Sequence, residues 1–184
     1  MYLTQGQFKG FKIETPKEAR PTLSKVRESV FNMLSNIDVG KKFLDMFAGS
    51  GIMGLEALSY GFSVVQLEKN PKCAQLIKKN YQKFPIKPKL FVCDALKYKT
   101  KGYDVIYIDP PWEYDYSKII CHALKLLNSG GVIVIEHENE LNCIPKELIN
   151  IKSKKYGRCL IDIYQPTTLS DDFSVSEVFE TLDS

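Results

Sequence analysis

The chain has 184 residues, of which 44% are hydrophobic and 26% are charged, and its formal net charge is +3. These ordinary globular values exclude a collagen, a coiled coil, a membrane-spanning protein and a wholly disordered chain, and the length indicates a single domain. The five widely spaced cysteines predict reduced thiols, and with only two histidines in the chain we expect no metal site. Because no signal peptide is recognisable, we expect a cytoplasmic protein without a membrane partner.

The first 22 residues predict a small extension in front of the main domain. Residues 2–13 alternate weakly between apolar and polar side chains, which favours a β-hairpin or two short strands. Thr22 then predicts the N-cap of a helix over residues 23–35. Residues 1–42 carry eight Lys or Arg against four Asp or Glu. This charge is as compatible with a polyanionic partner as with an ordinary solvated surface.

From residue 43 onward, short apolar runs alternate with helical segments, which is typical of a parallel sheet covered on both faces. Residues 128–131 (Asn-Ser-Gly-Gly) predict the end of the last helix. Two later strands are predicted as an antiparallel hairpin at the sheet edge, which makes seven strands in all. The strands are predicted at 43–47, 64–67, 90–92, 105–108, 132–135, 151–156 and 158–164, and the helices at 52–60, 71–83 and 115–127.

The predicted organisation therefore has three parts. An N-terminal extension and connector cover residues 1–22, and the main domain covers residues 23–165. Residues 166–184 carry no Lys or Arg and five Asp or Glu, so we expect an acidic, partly disordered tail.

A glycine-rich turn follows the first predicted strand. Gly49, Gly51 and Gly54 fit the pattern G-x-G-x-x-G between a strand and a helix, where glycines allow a ligand to approach backbone N–H groups. Glu68 ends the second strand, and its carboxylate can accept both hydroxyls of a ribose. NAD and any other adenosine-bearing cofactor satisfy this pattern equally well.

Asp45 favours one of these cofactors. It lies inside the first apolar strand, where a carboxylate is costly unless it is compensated. The cationic amino-acid moiety of S-adenosylmethionine would compensate it, and NAD has no such group. Asp94, after the third strand, can accept from an adenine amino group or can cap a helix that begins at Ala95.

The fourth predicted strand ends in Asp109, Pro110, Pro111 and Trp112. The two prolines make a stiff ledge at the carboxyl edge of the sheet, where ligands bind in open α/β folds. Asp109 and the Pro110 carbonyl can accept from an exocyclic base amine, whose lone pair then points at a methyl sulfonium without the help of a metal. Trp112 can stack on the base. The structural alternative is an ordinary aspartate cap with a buried indole.

Taken together, these motifs resemble class I S-adenosylmethionine-dependent methyltransferases, and more closely the bacterial 16S rRNA guanine-N2 methyltransferase family. The resemblance extends to about residue 165. It departs from the family at Gln5, where a glycine is usual, and at Trp112, where Phe or Tyr is usual. The further segments that carry it are GQFKG (6–10), RPT (20–22), VRESVFNML (26–34), GLEALS (54–59) and GGVIVIEHE (131–138).

The resemblance implies a monomeric, Rossmann-like class I methyltransferase. Its substrate would be ribosomal RNA, either naked or in an assembled small-subunit particle. It implies catalytic roles for Asp109, Pro110, Pro111 and Trp112. It implies S-adenosyl-L-methionine binding by Asp45, Phe47, Ala48, Gly49, Ser50, Gly51, Glu68, Asp94 and Ala95. It places RNA contacts on the N-terminal segment, at Lys9, Lys12, Arg20 and Arg27.

Three other functions remain open from the sequence. The tetrapeptide at 109–112 also permits adenine-N6 or cytosine-N4 methylation of another nucleic acid. An NAD-dependent oxidoreductase would use the same glycine loop but leaves that tetrapeptide unexplained. A non-catalytic RNA chaperone could retain only the fold.

Two minor features are expected to be structural. His137 is interpreted as a surface or strand-end residue and not as a catalytic base. Lys152, Lys154, Lys155 and Arg158 form a basic run that is typical of a solvated edge, although it could touch phosphates.

Overall fold

The computed structural model describes residues 1–16, 23–111, 114–141 and 144–167. These residues form a seven-stranded sheet with helices packed on both faces. The strands are β1 (Lys42–Asp45), β2 (Ser63–Leu67), β3 (Lys89–Phe91), β4 (Tyr103–Ile108), β5 (Leu127–His137), β6 (Leu148–Tyr156) and β7 (Cys159–Pro166). The helices are α1 (Ser24–Leu34), α2 (Ile52–Ser59), α3 (Pro71–Tyr81) and α4 (Tyr116–Leu126), with a single 3₁₀ turn at Ala95–Lys97.

The strand order is β3-β2-β1-β4-β5-β7-β6. Strands β1 to β5 pair in parallel, and β7 pairs antiparallel with both β5 and β6. The predicted mostly parallel sheet with a late antiparallel hairpin at its edge is therefore confirmed. The chain winds outward in opposite directions from β1 and β4, so the carboxyl ends of these two strands flank a topological switch point, where open α/β sheets bind ligands.

The core lies in two layers because alternate side chains of a strand point to opposite faces. Phe43, Val105 and Val132 face the layer that contains α1 and α2. Ile106 and Ile133 face the layer that contains α4. All five are fully buried, and each such side chain contributes about 1.5–3 kcal/mol to stability.

Several boundaries differ from the prediction. Leu127 pairs with Tyr103, so β5 begins directly after α4 and residues 128–131 lie within the strand. Helix α1 has Leu23 at its N-cap without a side-chain hydrogen bond, while Thr22 lies outside the described residues. Helix α4 is capped by Asp115, whose side chain accepts from the Ser117 amide at 2.9 Å. In the described part of the chain, no helix is long and apolar enough to cross a membrane.

Residues 1–16 pack onto α2 and α3, and only Tyr2 and Lys12 form an antiparallel bridge. The expected hairpin is present as a short pairing around this bridge, in which the Leu3 amide donates to the Phe11 carbonyl at 3.0 Å and the Ile13 amide donates to the Met1 carbonyl at 2.7 Å. Ser59, the last residue of α2, donates from Oγ to the Gln5 carbonyl at 2.6 Å and accepts from the Phe8 amide at 2.8 Å. The N-terminal segment shares the core of the sheet domain, because its apolar side chains Leu3, Phe8 and Ile13 are buried in the same layer.

Arg27 is buried in this interface, so its expected contact with RNA is wrong. Its Nε lies 3.0 Å from Glu56 Oε1, and both side chains are 0% exposed. A second guanidinium nitrogen donates to the Tyr2 carbonyl at 2.8 Å, and Glu56 also accepts from the Thr4 amide and hydroxyl. The partner of Arg27 is 29 residues away in the sequence, on α2, and local charge patterns do not reveal such a pairing.

Replacing Arg27 with methionine is expected to lower the free energy of unfolding by about 3–5 kcal/mol, because Glu56 would keep a buried charge without its partner. The double variant Arg27→Met/Glu56→Gln should recover most of this loss, since glutamine removes the charge and still accepts from Thr4. Urea unfolding of the three proteins measures both effects. A single variant within 1 kcal/mol of the parent would contradict this account.

Candidate active site

A cavity of about 1110 Å³ opens at the carboxyl ends of the parallel strands. Every loop that follows β1 to β5 contributes to its wall. Part of this wall consists of Phe47 and Gly49 after β1, Glu68 after β2, Cys93 and Ala95 after β3, Asp109 after β4, and Glu136 at the end of β5. The cavity therefore spans the switch point between β1 and β4.

The glycine loop contributes two differently oriented glycines. Gly49 (φ +55°) lines the cavity, and a Cβ atom added there would enter open space. Gly51 (φ +81°) caps α2, and a Cβ atom there would lie 3.1 Å from the Ile77 side chain. Gly49 is thus the glycine that a ligand can approach, whereas Gly51 allows α2 to pack closely against α3.

Glu68 ties the glycine loop to the loop after β2. Its Oε2 accepts from the Gly49 amide at 2.8 Å, and its Oε1 accepts from the Asn70 amide at 2.7 Å. A carboxylate offers about four lone-pair directions, so these two bonds fix its orientation and leave capacity for a ligand's hydroxyls.

Asp45 lies beneath the glycine loop and is 1% exposed. Its Oδ2 accepts from Gln66 Nε2 at 3.0 Å, and Gln66 in turn accepts from the Tyr81 hydroxyl at 2.9 Å. Its Oδ1 is buried and has no hydrogen-bond partner among the described residues. Burial raises the pKa of Asp45 to about 7, and the hydrogen bond from Gln66 partly offsets this effect.

The stability of the protein is expected to fall between pH 4.5 and pH 8 by about 3–4 kcal/mol on account of Asp45 alone. The folded pKa of about 7 lies above the ordinary value of 3.8, so the folded state holds this proton more tightly than the unfolded chain does. The stabilising contribution is complete at low pH and is lost as the pH rises through 7. Urea unfolding of the parent and of Asp45→Asn at both pH values isolates the effect, and parallel pH profiles would refute it.

Asp94 acts as a cap in the structure. Its Oδ1 accepts from the Leu96 amide at 3.0 Å, and its Oδ2 lies 3.8 Å from Lys69 Nζ. Of the residues predicted to bind the cofactor, Phe47, Gly49, Glu68 and Ala95 line the cavity. The others do not line it: Asp45, Ala48, Ser50, Gly51 and Asp94.

The predicted catalytic ledge forms the wall at the end of β4, where Asp109, Pro110 and Pro111 line the cavity. The Tyr114 amide donates to the Pro111 carbonyl at 3.1 Å. Trp112 lies outside the described residues. The Tyr114 ring packs edge-on against Phe47 with ring centroids 5.2 Å apart, which gives the cavity an aromatic wall that the sequence analysis did not identify.

Glu136 is a cavity residue that the sequence analysis missed. Its Oε2 accepts from the Tyr107 hydroxyl, and the Cys159 thiol lies 3.4 Å from its Oε1. The signal was available in the sequence, because a carboxylate directly after the apolar run of β5 falls at the same sheet edge as Asp109.

His137 ends β5 as expected but is not a surface residue, since it is only 6% exposed. Its Nε2 lies 2.9 Å from Asp162 Oδ2, and its Nδ1 lies 2.7 Å from the Asn139 carbonyl oxygen. These contacts position the cavity segment that follows β5.

The predicted RNA-contact residues do not come together at the cavity. Lys9 and Lys12 are exposed, but their segment is bonded to Ser59 at the end of α2 and to Lys83 after α3. Helix α2 ends just before β2 begins, at the amino ends of the parallel strands, whereas the cavity lies at their carboxyl ends. Arg27 is buried, and Arg20 lies outside the described residues.

The charge of the cavity distinguishes between the two candidate cofactors. Among the described residues, the cavity is lined by one lysine, Lys69, and by five carboxylates: Glu68, Asp109, Glu136, Glu138 and Glu140. Such a wall repels a pyrophosphate and attracts a cation. The unpaired oxygen of Asp45 adds to this preference, so the residues present fit S-adenosylmethionine and disfavour NAD. The described residues contain no group of three or more His, Cys, Asp or Glu placed to hold a metal.

The sheet order, the glycine loop at the switch point and the acidic cavity define a class I methyltransferase. A solved structure from Escherichia coli, the provisionally assigned methyltransferase yhhF, superposes with a TM-score of 0.80 at 27% identity and covers 90% of this chain and 97% of its own. The chain belongs to the family described as conserved hypothetical protein 95, whose model matches residues 1–165.

The curated relatives named ribosomal RNA small subunit methyltransferase D include the following two proteins. The protein from Buchnera aphidicola subsp. Baizongia pistaciae is 33% identical over 177 residues, which cover 88% of this chain and 90% of the relative. The protein from Escherichia coli is 29% identical over 175 residues, which cover 87% of each chain.

Proposed function

We propose that this protein transfers a methyl group from S-adenosylmethionine to the N2 amine of a guanine in small-subunit ribosomal RNA. The observation that carries the proposal is the acidic cavity that joins the glycine loop to Asp109 across the switch point. The names of the relatives support the choice of RNA. The function is tested by incubating the protein with tritiated S-adenosylmethionine and measuring the label in small-subunit RNA. Duplex DNA is the control substrate and should receive no label.

The cofactor would lie over β1 to β3. Glu68 would accept the ribose hydroxyls, and the Gly49 backbone would approach the ligand closely. Phe47 and Ala95 would contact the adenine, with Asp94 at its amino group. The buried Asp45 would balance the ligand's positive charge. When bound, S-adenosylmethionine supplies an electrophilic methyl group that needs no metal.

Asp109 would hold and activate the acceptor. An exocyclic base amine is a poor nucleophile because its lone pair is delocalised into the ring. Hydrogen bonds from its two N–H groups to Asp109 and to the Pro110 carbonyl would favour a pyramidal nitrogen with a localised lone pair. The nitrogen would form an N–C bond to the methyl group as the methyl–sulfur bond breaks and its electron pair stays on sulfur as a neutral thioether. One N–H proton would then leave the nitrogen, and Asp109 would accept it. Pro111 would stiffen the ledge and Trp112 would stack on the base.

The RNA backbone would contact the β6–β7 turn. A second cavity, of about 410 Å³, lies beside the first and is lined by Lys155, Gly157 and Arg158 together with Glu138 and Asn139, which line both cavities. Lys155 and Arg158 are exposed. They would bind phosphates that flank a base inserted into the acidic cavity. Lys9 and Lys12 would contact RNA only at a distance from the modified base, and Arg20 stays a predicted contact.

The double variant Lys155→Glu/Arg158→Glu is expected to weaken RNA binding. It should also reduce the slope of log affinity against log salt by about 0.7–0.9 for each lost phosphate contact. Lys101→Glu, an exposed charge reversal just before β4 at the opposite end of the sheet, is the control and should leave the slope unchanged. Binding titrations at several salt concentrations measure both, and equal slopes in all three proteins would exclude the turn as a contact.

A further inference from the structure

We infer that Glu136 selects guanine as the acceptor, by accepting the N1–H of the base whose N2 amine is held at Asp109. This inference rests on the proposed function and extends it to a residue that decides between bases.

The strand register places the two carboxylates side by side. Ile108 of β4 pairs with Ile135 of β5 in the parallel ladder, so Asp109 and Glu136 occupy the next positions on strands about 4.8 Å apart. Both line the cavity. Glu136 is one strand farther than Asp109 from the loops after β1 to β3. A base whose amine is held at Asp109 and whose ring points away from those loops would extend toward Glu136.

Two tyrosines fix the Glu136 side chain and backbone. The Tyr107 hydroxyl donates to Oε2, and the Tyr116 hydroxyl donates to the Glu136 main-chain carbonyl at 3.1 Å. Burial raises the pKa of Tyr107 well above its ordinary range, so this hydroxyl stays protonated and remains a donor. The carboxylate is held at the cavity wall by Tyr107 on Oε2 and by the Cys159 thiol, 3.4 Å from Oε1. A carboxylate has about four lone-pair directions, so it can accept from more than two donors.

Of the three bases with an exocyclic amine, only guanine carries an N–H donor next to that amine. The ring nitrogen beside the amine is N1–H in guanine, whereas it is an unprotonated acceptor in adenine (N1) and in cytosine (N3). A carboxylate accepts hydrogen bonds and donates none. Glu136 would therefore bond to guanine and repel adenine or cytosine, and one such contact discriminates by about 10–100-fold.

The test compares two RNA fragments that differ only at the methylated position, which carries either guanine or 2-aminopurine. Both bases have the N2 amine, but 2-aminopurine presents an unprotonated N1. The parent enzyme should methylate the guanine fragment with a kcat/KM about 10–100 times higher. Glu136→Gln can donate from its amide, so its preference should fall to near unity or invert, while S-adenosylmethionine binding is unchanged. Glu147→Gln, the same change outside the cavity, should keep the parent's preference.

The outcomes separate the inference from the proposed function. Equal losses on both fragments in Glu136→Gln would show a purely structural role and overturn the inference alone. Absence of N2-methylguanine from the parent reaction would overturn the proposed function together with the inference. If Glu136→Gln melts at a much lower temperature, Glu136→Asp replaces it. That variant retains a carboxylate and should keep the guanine preference at a reduced rate, and loss of the preference would again overturn the inference.

Discussion

Asp109→Ala is expected to lower the rate of methyl transfer by about 10²–10⁴-fold while leaving S-adenosylmethionine binding nearly intact. On the proposed mechanism the carboxylate would accept from the base amine most strongly as the nitrogen becomes pyramidal and cationic, so its removal would act mainly on the transition state. Asp109 follows β4, whereas Gly49 follows β1 and Glu68 follows β2. Single-turnover rates with RNA, together with ligand titration, measure the two effects separately.

The control for this variant is Asp38→Ala, which removes an exposed carboxylate from the loop between α1 and β1 at the opposite end of the sheet. It should retain full activity. If Asp109→Ala keeps most of its activity, the carboxylate is a structural cap and the proposed role of the ledge is wrong. Equal losses of binding and turnover would instead place Asp109 in the cofactor site.

Gly49→Asn is expected to abolish protection of the protein by S-adenosylmethionine against thermal unfolding. At about 100 times its dissociation constant, the ligand should add about 2.7 kcal/mol to the stability of the parent. Gly49 has a φ of +55°, which asparagine tolerates better than most residues. Its new side chain would enter the cavity beside the bond between Glu68 and the Gly49 amide.

Gly61→Asn is the matched control, since Gly61 has a φ of +84° and open space at its Cβ but lies after α2, far from the cavity. It should keep the full ligand protection. NAD should not protect the parent or either variant against thermal unfolding, because the acidic cavity wall repels its pyrophosphate. Protection of the parent by NAD and not by S-adenosylmethionine would reverse the cofactor assignment.

The sheet was predictable because its central strands β1, β4 and β5 are buried on both faces and read as continuous apolar runs. Four of the five parallel strands lie within two residues of their predicted positions, and β5 begins five residues early because Leu127 pairs with Tyr103. The cavity wall was predictable at Gly49, Glu68 and Asp109, because the carboxyl ends of parallel strands converge on one edge.

Long-range pairing was not predictable from local patterns. Arg27 had the appearance of a surface cation in a basic segment, and only its contact with Glu56 shows that it is a core residue. Sequence patterns also did not show that Ser59 and Asn80 bind the N-terminal segment to the sheet domain. The RNA contacts of its exposed lysines stay a prediction. Glu136 was missed because its importance depends on its strand lying beside β4 in register.

Methyl labelling followed by nucleoside analysis tests the central claim most directly. The protein is incubated with tritiated S-adenosylmethionine and small-subunit ribosomal RNA, both naked and assembled with ribosomal proteins, and the RNA is digested to nucleosides. The account predicts radioactivity in N2-methylguanosine with at least one of these substrates. Label in N6-methyladenosine or N4-methylcytidine, or no label in either substrate, would contradict it.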